Sequence, residues 1–378
     1  MSWPLVKLQD VAPARAVSHD FMDSDQVWHL NLDQVESETG SVLQKVFAPA
    51  SEIGVSTHGF DERHVLYSKL RPYLNKVVLP DEKGLATTEL VPLFPDQNRI
   101  DRKYLAYYLR SKGFVDWVSA QVAGAKMPRV SMQVFWQHEI SLPPILEQKR
   151  IAAILDKADA IRRKRQQAIQ LADDFLRAVF LDMFGEPVTN PKGWVVYKMA
   201  EVIDFKGGSQ PPKETFEYEE KEGYIRLVQI RDFRTDKFKT YIPQNLARRR
   251  FEVDDVMIGR YGPPVFQILR GLSGSYNVAL MKAAPKDGVT KDFIYRLLQL
   301  SFYQDAVISN SERTAGQTGV NLDLLNGLDV PLPPLDVQIS ISQRIRKVEG
   351  LLNKLKLSFE GAERIFSSLS QKAFSGQL

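Results

Sequence analysis

The chain contains no cysteine, only five histidines and no long apolar run. Because cysteine is absent, disulfide bonds and zinc sites with thiolate ligands are excluded. The histidines show none of the spacing that metal ligands require. No segment approaches the ~20 apolar residues of a membrane span, and the first residues lack the apolar core of a signal peptide. We therefore expect a cytoplasmic protein with no metal site and no membrane partner.

The sequence also lacks the motifs of several enzyme classes. There is no phosphate-binding loop of the G-x-x-x-x-G-K-[ST] type and no glycine-rich cofactor loop after a strand. The segment 261–266 resembles the loop with which amino-methyltransferases hold a target amine, but Gly262 replaces the side-chain acceptor and Val265 replaces the stacking ring. A nuclease-like arrangement at Asp96 and Asp101 is too cramped. We predict no catalytic residue, and we keep a self-sufficient DNA methyltransferase or nuclease as an alternative.

Composition indicates an ordinary globular protein with a basic balance. The 378 residues are long enough for two domains, and 44% of them are hydrophobic and 25% charged. The net charge of +4 permits an acidic partner such as nucleic acid without proving one.

A long helix organises the first half of the chain. Pro143 and Pro144 stiffen its entry, and after Glu147 nothing breaks a helix until Gly185. The pattern predicts about 38 helical residues, or roughly 57 Å at 1.5 Å per residue. Its apolar residues recur every seven positions, which is typical of a coiled-coil seam. Such a helix requires a long partner.

The partner lies in the same chain. A shift of 190 superimposes the segment 142–184 on 332–374 without a gap, and the apolar seam is copied with it. Arg165 occupies a seam position where its counterpart is Leu355, so we expect its stem to lie on the seam and its guanidinium to reach water or a partner. Residues 336–338 depart from 146–148, so the repeat does not fix where the second helix begins.

The repeat extends over the whole chain and predicts its domains. Trp3 and Lys7 recur as Trp194 and Lys198, and residues 64–72 match 255–263 in pattern. We predict an α+β protein in which two mixed α/β domains are separated by two long helices that pair as an antiparallel coiled coil, with pseudo-twofold symmetry. The predicted boundaries are 1–141 and 191–331 for the domains, and 142–190 and 332–378 for the helices.

Shorter elements are predicted inside each domain. Amphipathic patterns indicate short helices over 102–112 and 291–302. Turn-bounded runs of apolar and aromatic residues indicate strands over 27–30, 65–67, 76–79, 90–94, 224–229, 256–258, 266–269 and 279–282. The order of these strands in a sheet does not follow from the sequence.

Candidate DNA contacts are cations interleaved with aromatics, amides and glycines, the types that bind phosphates, stack or read base edges. In the first domain they are Lys69, Arg71, Tyr73, Asn75, Lys76, Lys126 and Arg129. In the second domain they are Lys206, Gly208, Ser209, Gln210, Arg226, Arg231, Arg260, Tyr261 and Gln317. Any of these loops could instead be an ordinary solvated turn. The basic run 162–165 in the first helix has three interpretations: it contacts DNA, it docks a subunit, or it is only a solvated face.

The doubled L-P-P-x-x-x-Q-x-x-I element with its long helix, the segment 65–73, and Gly207-Gly208-Ser209 followed by Tyr224-Ile225-Arg226-Leu227 resemble the specificity subunit of type I restriction-modification systems. The resemblance implies a bacterial host-defence protein, a non-catalytic subunit whose two target-recognition domains each read half of a bipartite site on double-stranded DNA. It also implies two methyltransferase subunits as partners, which bring S-adenosylmethionine and methylate adenine N6, with restriction subunits adding ATP-driven translocation. No cofactor is expected in this chain itself. A coiled-coil protein scaffold remains a further alternative.

Overall fold

The computed structural model describes residues 3–54, 56–123, 127–262, 264–311 and 319–378. The chain divides into two compact units, of which the first comprises residues 1–167 and 356–378 and the second comprises 168–355. Each long helix therefore contributes residues to both units. Within the described parts of the chain, no helix is both long and apolar enough to cross a membrane.

The first unit contains short strands, four short helices and the start of a long one. Its strands are β1 Leu5–Lys7, β2 Gln26–Leu30, β3 Phe47–Pro49, β4 Thr57–Phe60, β5 Val65–Ser68, β6 Val77–Val78, β7 Gly84–Thr87, β8 Leu90–Leu93, β9 Val122–Ala123, β10 Arg129–Val130 and β11 Glu139–Ser141. Its short helices are α1 Leu8–Val11, α2 Arg102–Arg110, α3 Lys112–Ser119 and α4 Met132–Gln137, with 3₁₀ helices at Leu32–Gln34, Ala50–Glu52 and Pro72–Leu74. The long α5 Ile145–Phe184 begins in this unit and ends in the second.

The second unit has a similar order of elements, with β13 Ile203–Gly207 added. Its strands are β12 Val195–Lys198, β13 Ile203–Gly207, β14 Tyr224–Val228, β15 Tyr241–Pro243, β16 Arg250–Phe251, β17 Val256–Gly259, β18 Gln267–Leu269, β19 Gly274–Tyr276, β20 Leu280–Pro285 and β21 Asp329–Leu332. Its short helices are α6 Met199–Val202, α7 Lys291–Leu297, α8 Ser301–Ser311 and α9 Leu322–Gly327, with 3₁₀ helices at Lys213–Thr215, Ile230–Phe233 and Gln244–Leu246. The long α10 Leu335–Phe374 begins in this unit and ends in the first.

The two units share one sheet topology. The order β3-β2-β7-β4 in the first unit corresponds to β15-β14-β19-β16 in the second, and both sheets contain one parallel pair, β2 with β7 and β14 with β19. The order β6-β5-β8 corresponds to β18-β17-β20, which β13 extends by one strand. A two-stranded ribbon, β1 with β11 or β12 with β21, leads into each long helix. The predicted internal repeat is therefore confirmed at the level of strand order.

Both long helices run for 40 residues, close to the predicted length. Gly185, at φ +95°, follows the end of α5 in a backbone conformation that favours glycine, and the Trp194 indole nitrogen donates to the Phe184 carbonyl at 2.7 Å. The second helix begins at Leu335, which is the residue 190 positions after Ile145. The repeat thus fixes its start despite the change in sequence.

Within the first unit the two helices pack antiparallel. Arg150 donates to the Leu378 carbonyl at 2.9 Å, and Arg162 lies 3.4 Å from the carboxylate of Glu363. The Arg165 guanidinium donates to the Ser358 carbonyl at 2.5 Å, so its head binds backbone of the partner helix. Residue numbers rise along one helix as they fall along the other. The helix α2 covers this pair through Tyr104, Tyr107 and Tyr108, whose rings contact Phe366 and Phe374.

Within the second unit, α7 contacts segments of both long helices. Phe293 packs against Phe180 and Phe184 with ring centroids 6.1 and 5.4 Å apart. The neighbouring Asp292 accepts from Arg346 at 2.6 Å, and Arg296 pairs with Glu349. In each unit a short helix thus lies between the long helices and one sheet, α2 against β5 and β6, and α7 against β17 and β20.

Two predicted helix ends were wrong. The helix predicted over 291–302 is two helices, because the chain turns at Leu298 to Leu300 and buries both of these side chains, with 0% and 8% exposed. The helix predicted over 102–112 ends at Arg110, where Ser111 caps the next helix by accepting from the Phe114 amide. No glycine or proline marks the turn at 298–300, so the sequence carries no local signal for it. The eight predicted strands correspond to β2, β5, β6, β8, β14, β17, β18 and β20.

A buried glutamine fixes the start of each long helix. Gln148 is 0% exposed, and its amide nitrogen donates to the carbonyls of Pro143 and Arg99 at 2.8 and 2.9 Å. Its amide oxygen accepts from the Asp101 backbone at 2.8 Å. Asp101 in turn caps α2 by accepting from the amides of residues 103 and 104. Gln338 makes the same three bonds, to Pro333, Gly288 and Thr290, at 2.9, 3.0 and 2.9 Å.

Replacing this glutamine should destabilise the first unit. Gln148→Leu keeps the approximate size but leaves one backbone N–H and two carbonyls without the partner that the amide supplies, which we expect to lower the free energy of unfolding by about 2 to 5 kcal/mol. Gln167→Leu, at an exposed position of the same helix, is the matched control. Urea unfolding followed by circular dichroism measures both. A Gln148→Leu chain as stable as the control would show that the amide network does not hold the helix start.

A half-buried histidine should make the first unit sensitive to acid. His138 contacts the Trp117 and Phe114 rings and hydrogen-bonds the Tyr108 hydroxyl at 2.8 Å. Burial lowers the pKa of His138 from 6.5 to about 4. Between these values the unfolded chain binds the proton and the folded chain does not, so stability falls as the pH falls through that window.

The variant His138→Phe keeps a ring and removes this titration. We expect the slope of unfolding free energy against pH, measured by urea titrations between pH 7 and pH 4, to become shallower. It should not vanish, because burial also lowers the pKa of His58. An unchanged slope would contradict the assignment to His138.

Candidate nucleic-acid interface

Each unit places one cation at the same point of its fold. Lys69 follows β5 and Arg260 follows β17. The Lys69 amide donates to the Glu89 carbonyl at 3.0 Å, and the Arg260 amide donates to the Ala279 carbonyl at 2.9 Å. These acceptors lie 190 positions apart. The two cations therefore stand in equivalent backbone frames.

A second chain segment completes each frame. The Val130 amide donates to the Lys69 carbonyl at 3.1 Å, and the Val320 amide donates to the Arg260 carbonyl at 3.2 Å. The next residues form isolated bridges, Leu70 with Arg129 and Tyr261 with Gly319. Each cation is thus held between the turn before β8 or β20 and the segment that precedes α4 or α9.

The first unit presents two further exposed side chains beside Lys69. Arg71 adopts φ +48° and Asn75 adopts φ +51°, so both lie in the left-handed region, at the ends of the 3₁₀ helix Pro72–Leu74. The Arg71 amide donates to the Pro128 carbonyl at 2.8 Å, which helps to hold this conformation. The side chains of Arg71 and Tyr73 are exposed and make no hydrogen bond or ion pair with the described residues, and Tyr73 is 48% exposed.

Other predicted contacts of this loop are engaged by the fold. The Asn75 amide nitrogen donates to the Arg110 carbonyl at 3.0 Å, and the Lys76 ammonium donates to the Leu32 carbonyl at 2.6 Å. Lys69 makes no side-chain hydrogen bond with the described residues, but it lies close enough to His58 to lower the pKa of that group beyond the effect of burial. Lys69, Arg71 and Tyr73 are therefore the members of this loop whose side chains are available to a ligand.

Arg129 is paired within its own unit. Its guanidinium binds the carboxylate of Glu89 through Nε and Nη2, the shortest distance being 2.7 Å. This hydrogen bond is the main reason that the pKa of Glu89 lies below its usual range. The charge of Arg129 is consequently balanced before any ligand arrives.

In the second unit the loop after β13 packs against the backbone of residues 276 and 277. A Cβ on Gly208 would lie 2.0 Å from the Asn277 carbonyl oxygen, so backbone occupies the space that its missing side chain leaves. The Ser209 amide donates to the Tyr276 carbonyl at 3.1 Å, while the Ser209 hydroxyl is buried and has no partner among the described residues. Gln210 is exposed, and Lys206 lies 3.2 Å from Asp204.

This loop and Arg260 flank the same turn. Along β20, Met281 pairs with Gly207 of β13 on one side, and Leu280 pairs with Gly259 of β17 on the other. The chain therefore brings 206–210 and 259–261 to one end of the four-stranded sheet, on either side of the residues that precede β20. The Arg260 guanidinium lies 5.3 Å from the centre of the Tyr261 ring, and Tyr261 is 36% exposed.

The other two arginines predicted as DNA contacts in the second unit differ in their surroundings. Arg226 lies 3.0 Å from Asp236 and 3.8 Å from the buried Asp232, so its charge is largely balanced. Burial raises the pKa of Asp232. Arg231 is exposed and lies 5.6 Å from the centre of the Phe238 ring. Among the described residues, no contact joins Arg226 or Arg231 to Arg260.

Some predicted residues lie outside the described part of the chain. They are Lys126 and Gln317, together with the loop residues 124–126, 312–318 and Pro263. Among the described residues, no group of histidine and acidic side chains could hold a metal ion.

The basic run of α5 is mostly engaged within the first unit. The buried Asp159 accepts from Arg162 at 2.7 Å and forms an ion pair with Arg163 at a distance of 2.6 Å, and Arg165 binds the Ser358 carbonyl. Lys164 is the member of the run that is exposed and has no described partner. Of the other three cations, Arg162 and Arg165 contact the partner helix at Glu363 and Ser358, and Arg163 pairs with Asp159 of its own helix.

Sequence reasoning missed the acidic partners of the predicted cations. Glu89 lies 40 positions from Arg129, and Asp232 and Asp236 belong to a 3₁₀ helix and a loop after the strand that carries Arg226. No spacing rule joins such distant residues. The sequence held one hint, which came from the repeat. The counterparts of Glu89 and Arg129 are the small residues Ala279 and Gly319, so both members of the ion pair are replaced together in the second half.

The chain matches the family model described as type I restriction modification DNA specificity domain over residues 60–171 and 191–358. A type I restriction enzyme specificity subunit of Methanocaldococcus jannaschii, MjaVIII, is 20% identical over 330 residues, which cover 79% of this chain and 75% of that protein. The EcoDI specificity subunit of Escherichia coli is 23% identical over 194 residues, which cover 50% of this chain and 43% of that protein.

Solved structures share the fold. The type I restriction-modification S subunit of M. genitalium is 15% identical, covers 99% of this chain and 96% of its own, and has a TM-score of 0.58. A chain from a study of complex assembly and conformational transition in a type I system is 18% identical, covers 100% and 98%, and has a TM-score of 0.55. Since the family model matches well over half of the residues, the chain belongs to the type I restriction-modification specificity family and is a DNA sequence-recognition subunit, not a catalytic one.

Proposed function

We propose that this chain reads a bipartite target on double-stranded DNA, one half with each recognition domain. The recognition domains are residues 1–141 and 191–331, and the helical segments 142–190 and 332–378 hold them. The observation that carries the proposal is the equivalence of Lys69 and Arg260, because two copies of one backbone frame present a cation twice in one chain. A lysine or arginine in such a position binds phosphate or the O6 and N7 atoms of guanine.

The proposed contacts differ between the domains. In the first domain they are Lys69, Arg71 and Tyr73, whose side chains are available. In the second they are Lys206, Ser209, Gln210, Arg231, Arg260 and Tyr261. Lys126 and Gln317 stay proposed contacts on sequence grounds, while Asn75, Lys76, Arg129, Gly208 and Arg226 support these surfaces. Ser209 is a proposed contact on sequence grounds only. Its hydroxyl is buried and has no partner among the described residues.

The partners follow from the family. Membership supports assembly with other restriction-modification subunits and with DNA. We propose two methyltransferase subunits, which would bind S-adenosylmethionine and methylate adenine N6 after the base leaves the helical stack, and restriction subunits that would use ATP. The complex would act in the cytoplasm. Family membership does not favour a self-sufficient methyltransferase or nuclease, nor a protein scaffold.

A gel-shift series tests the proposed function. Full-length chain, with and without its methyltransferase subunits, would be titrated with duplex DNA at increasing salt. Because cations that neutralise phosphates release counterions, affinity should fall steeply as salt rises. Methylation mapping in the source organism, with and without the gene, would identify the bipartite target. A complex that binds DNA without preference for any target would contradict the proposal.

The two domains should be separable by substitution. Lys69→Ala or Arg71→Ala is expected to weaken discrimination at one half-site by about 1 to 3 kcal/mol for each base that the variant no longer reads, and to leave the other half-site unaffected. Lys112→Ala removes the same charge from an exposed side chain that pairs with Asp116, so it is the matched control. Binding to duplexes with single base changes in each half measures the effect. Equal reductions at both halves would contradict the assignment of domains.

The long helices should set the distance between half-sites. Inserting one heptad into each helix, near Gln167 and near Leu357, preserves the seven-residue seam and adds roughly 10 Å of helix. At about 3.4 Å per base pair this corresponds to at most about three base pairs, and to fewer where the helices tilt or the DNA twists. We expect the same half-sites with a spacer one to three base pairs longer.

Methylation mapping with the insertion variant measures the spacer. Insertion into one helix alone is the control, because it breaks the matched seam and should reduce folding. An active double-insertion variant with an unchanged spacer would show that the helices do not set the distance.

A further inference from the structure

The first recognition domain fastens its contact loop in a way that the second does not. In the shared frame, Glu89 corresponds to Ala279 and Arg129 corresponds to Gly319. The first pair forms a bidentate ion pair with a shortest distance of 2.7 Å. The second pair cannot form one, since neither residue has a polar side chain.

The ion pair joins the two segments that hold Lys69. The Glu89 carbonyl accepts from the Lys69 amide. Arg129 precedes Val130, whose amide donates to the Lys69 carbonyl. The carboxylate of Glu89 then reaches across to the guanidinium of Arg129. Lys69 and Leu70 are therefore enclosed by backbone bonds on both sides and by one side-chain bridge between those sides.

The second domain fastens its loop by packing. The ring of Tyr261 lies over Gly319, where a Cβ would be 3.1 Å from the ring carbon Cε1. The first domain has Leu70 in place of this ring. Glycine at 319 thus allows the contact that replaces the ion pair, and a side chain there would displace the ring.

We propose that Glu89 and Arg129 are a positioning pair, which sets the discrimination of the first domain by fixing Lys69 and Arg71, and that Gly319 and Tyr261 perform this role in the second. The inference rests on the proposed function. An exposed ion pair contributes little to stability, and with side chains 41% and 21% exposed this pair lies at the surface. We therefore assign the effect of the ion pair to the geometry of the loop. The Arg71 amide also binds the segment that carries Arg129, at the Pro128 carbonyl.

The substitutions Glu89→Gln and Arg129→Gln each remove one charge of the ion pair, and they change the net charge in opposite directions. For both, we expect the preference for a correct over a mismatched first half-site to fall roughly five- to thirty-fold. Non-specific affinity should separate them, since Glu89→Gln frees a cation and Arg129→Gln removes one. The first half-site is the one whose reading Lys69→Ala impairs. The double exchange Glu89→Arg with Arg129→Glu restores an ion pair and should recover part of the preference.

Glu82→Gln is the matched control, because it removes an equivalent acid of the same domain that pairs with Lys45 instead. Gly319→Ala should reduce discrimination at the second half-site only. All variants would be assembled with the methyltransferase subunits and titrated with duplexes that carry the mapped target or a single mismatch in either half. Thermal unfolding of each variant confirms that the fold is retained.

The outcomes separate this inference from the proposed function. Reduced preference at the first half-site alone, with normal stability and recovery by the exchanged pair, supports it. Unchanged preference in Glu89→Gln and Arg129→Gln overturns it, even where Lys69→Ala still impairs binding. Equal reductions at both half-sites also overturn it. A wild-type complex without any target preference overturns the proposed function, and the inference with it.

Discussion

The buried amides of Gln148 and Gln338 are the interaction on which each unit depends. In a helix of 40 residues, a small change in the direction of the first turn displaces the far end by a large distance. Each amide binds the proline entry of the long helix, the turn before a short helix and the capping residue of that helix. Because glutamine offers both donors and an acceptor, one side chain satisfies three backbone groups.

The same arrangement explains why the repeat is evident in the sequence at the long helices and faint in the domains. The helix entry requires two prolines, a glutamine at a fixed distance and an apolar seam, and each requirement restricts the residue type. Strands require only burial on particular faces, which many apolar residues satisfy. The two units therefore keep one strand order, including the parallel pair, while few of their strand residues are identical.

Sequence reasoning predicted the elements that depend on local pattern. The seven-residue period gave both long helices to within a few residues, and turn-bounded apolar runs gave eight strands. It could not give sheet order, because pairing joins residues far apart in the chain, nor the turn at 298–300, which arises from burial of two leucines. For the site, residue type identified the cations, but availability depends on tertiary partners. Arg129 and Lys76 are engaged by Glu89 and by the Leu32 carbonyl, whereas Lys69 and Arg71 are not.

A frame built from backbone hydrogen bonds leaves its side chains free to differ. The amide and carbonyl of Lys69 and those of Arg260 make equivalent bonds, and none of these bonds depends on the side chains of the residues that make them. The positions around them carry leucine or tyrosine, glutamate or alanine, and arginine or glycine. Direct readout of bases depends on side-chain chemistry, so two domains with one backbone frame can present different surfaces to two half-sites. The fold thus separates where a contact is made from what that contact reads.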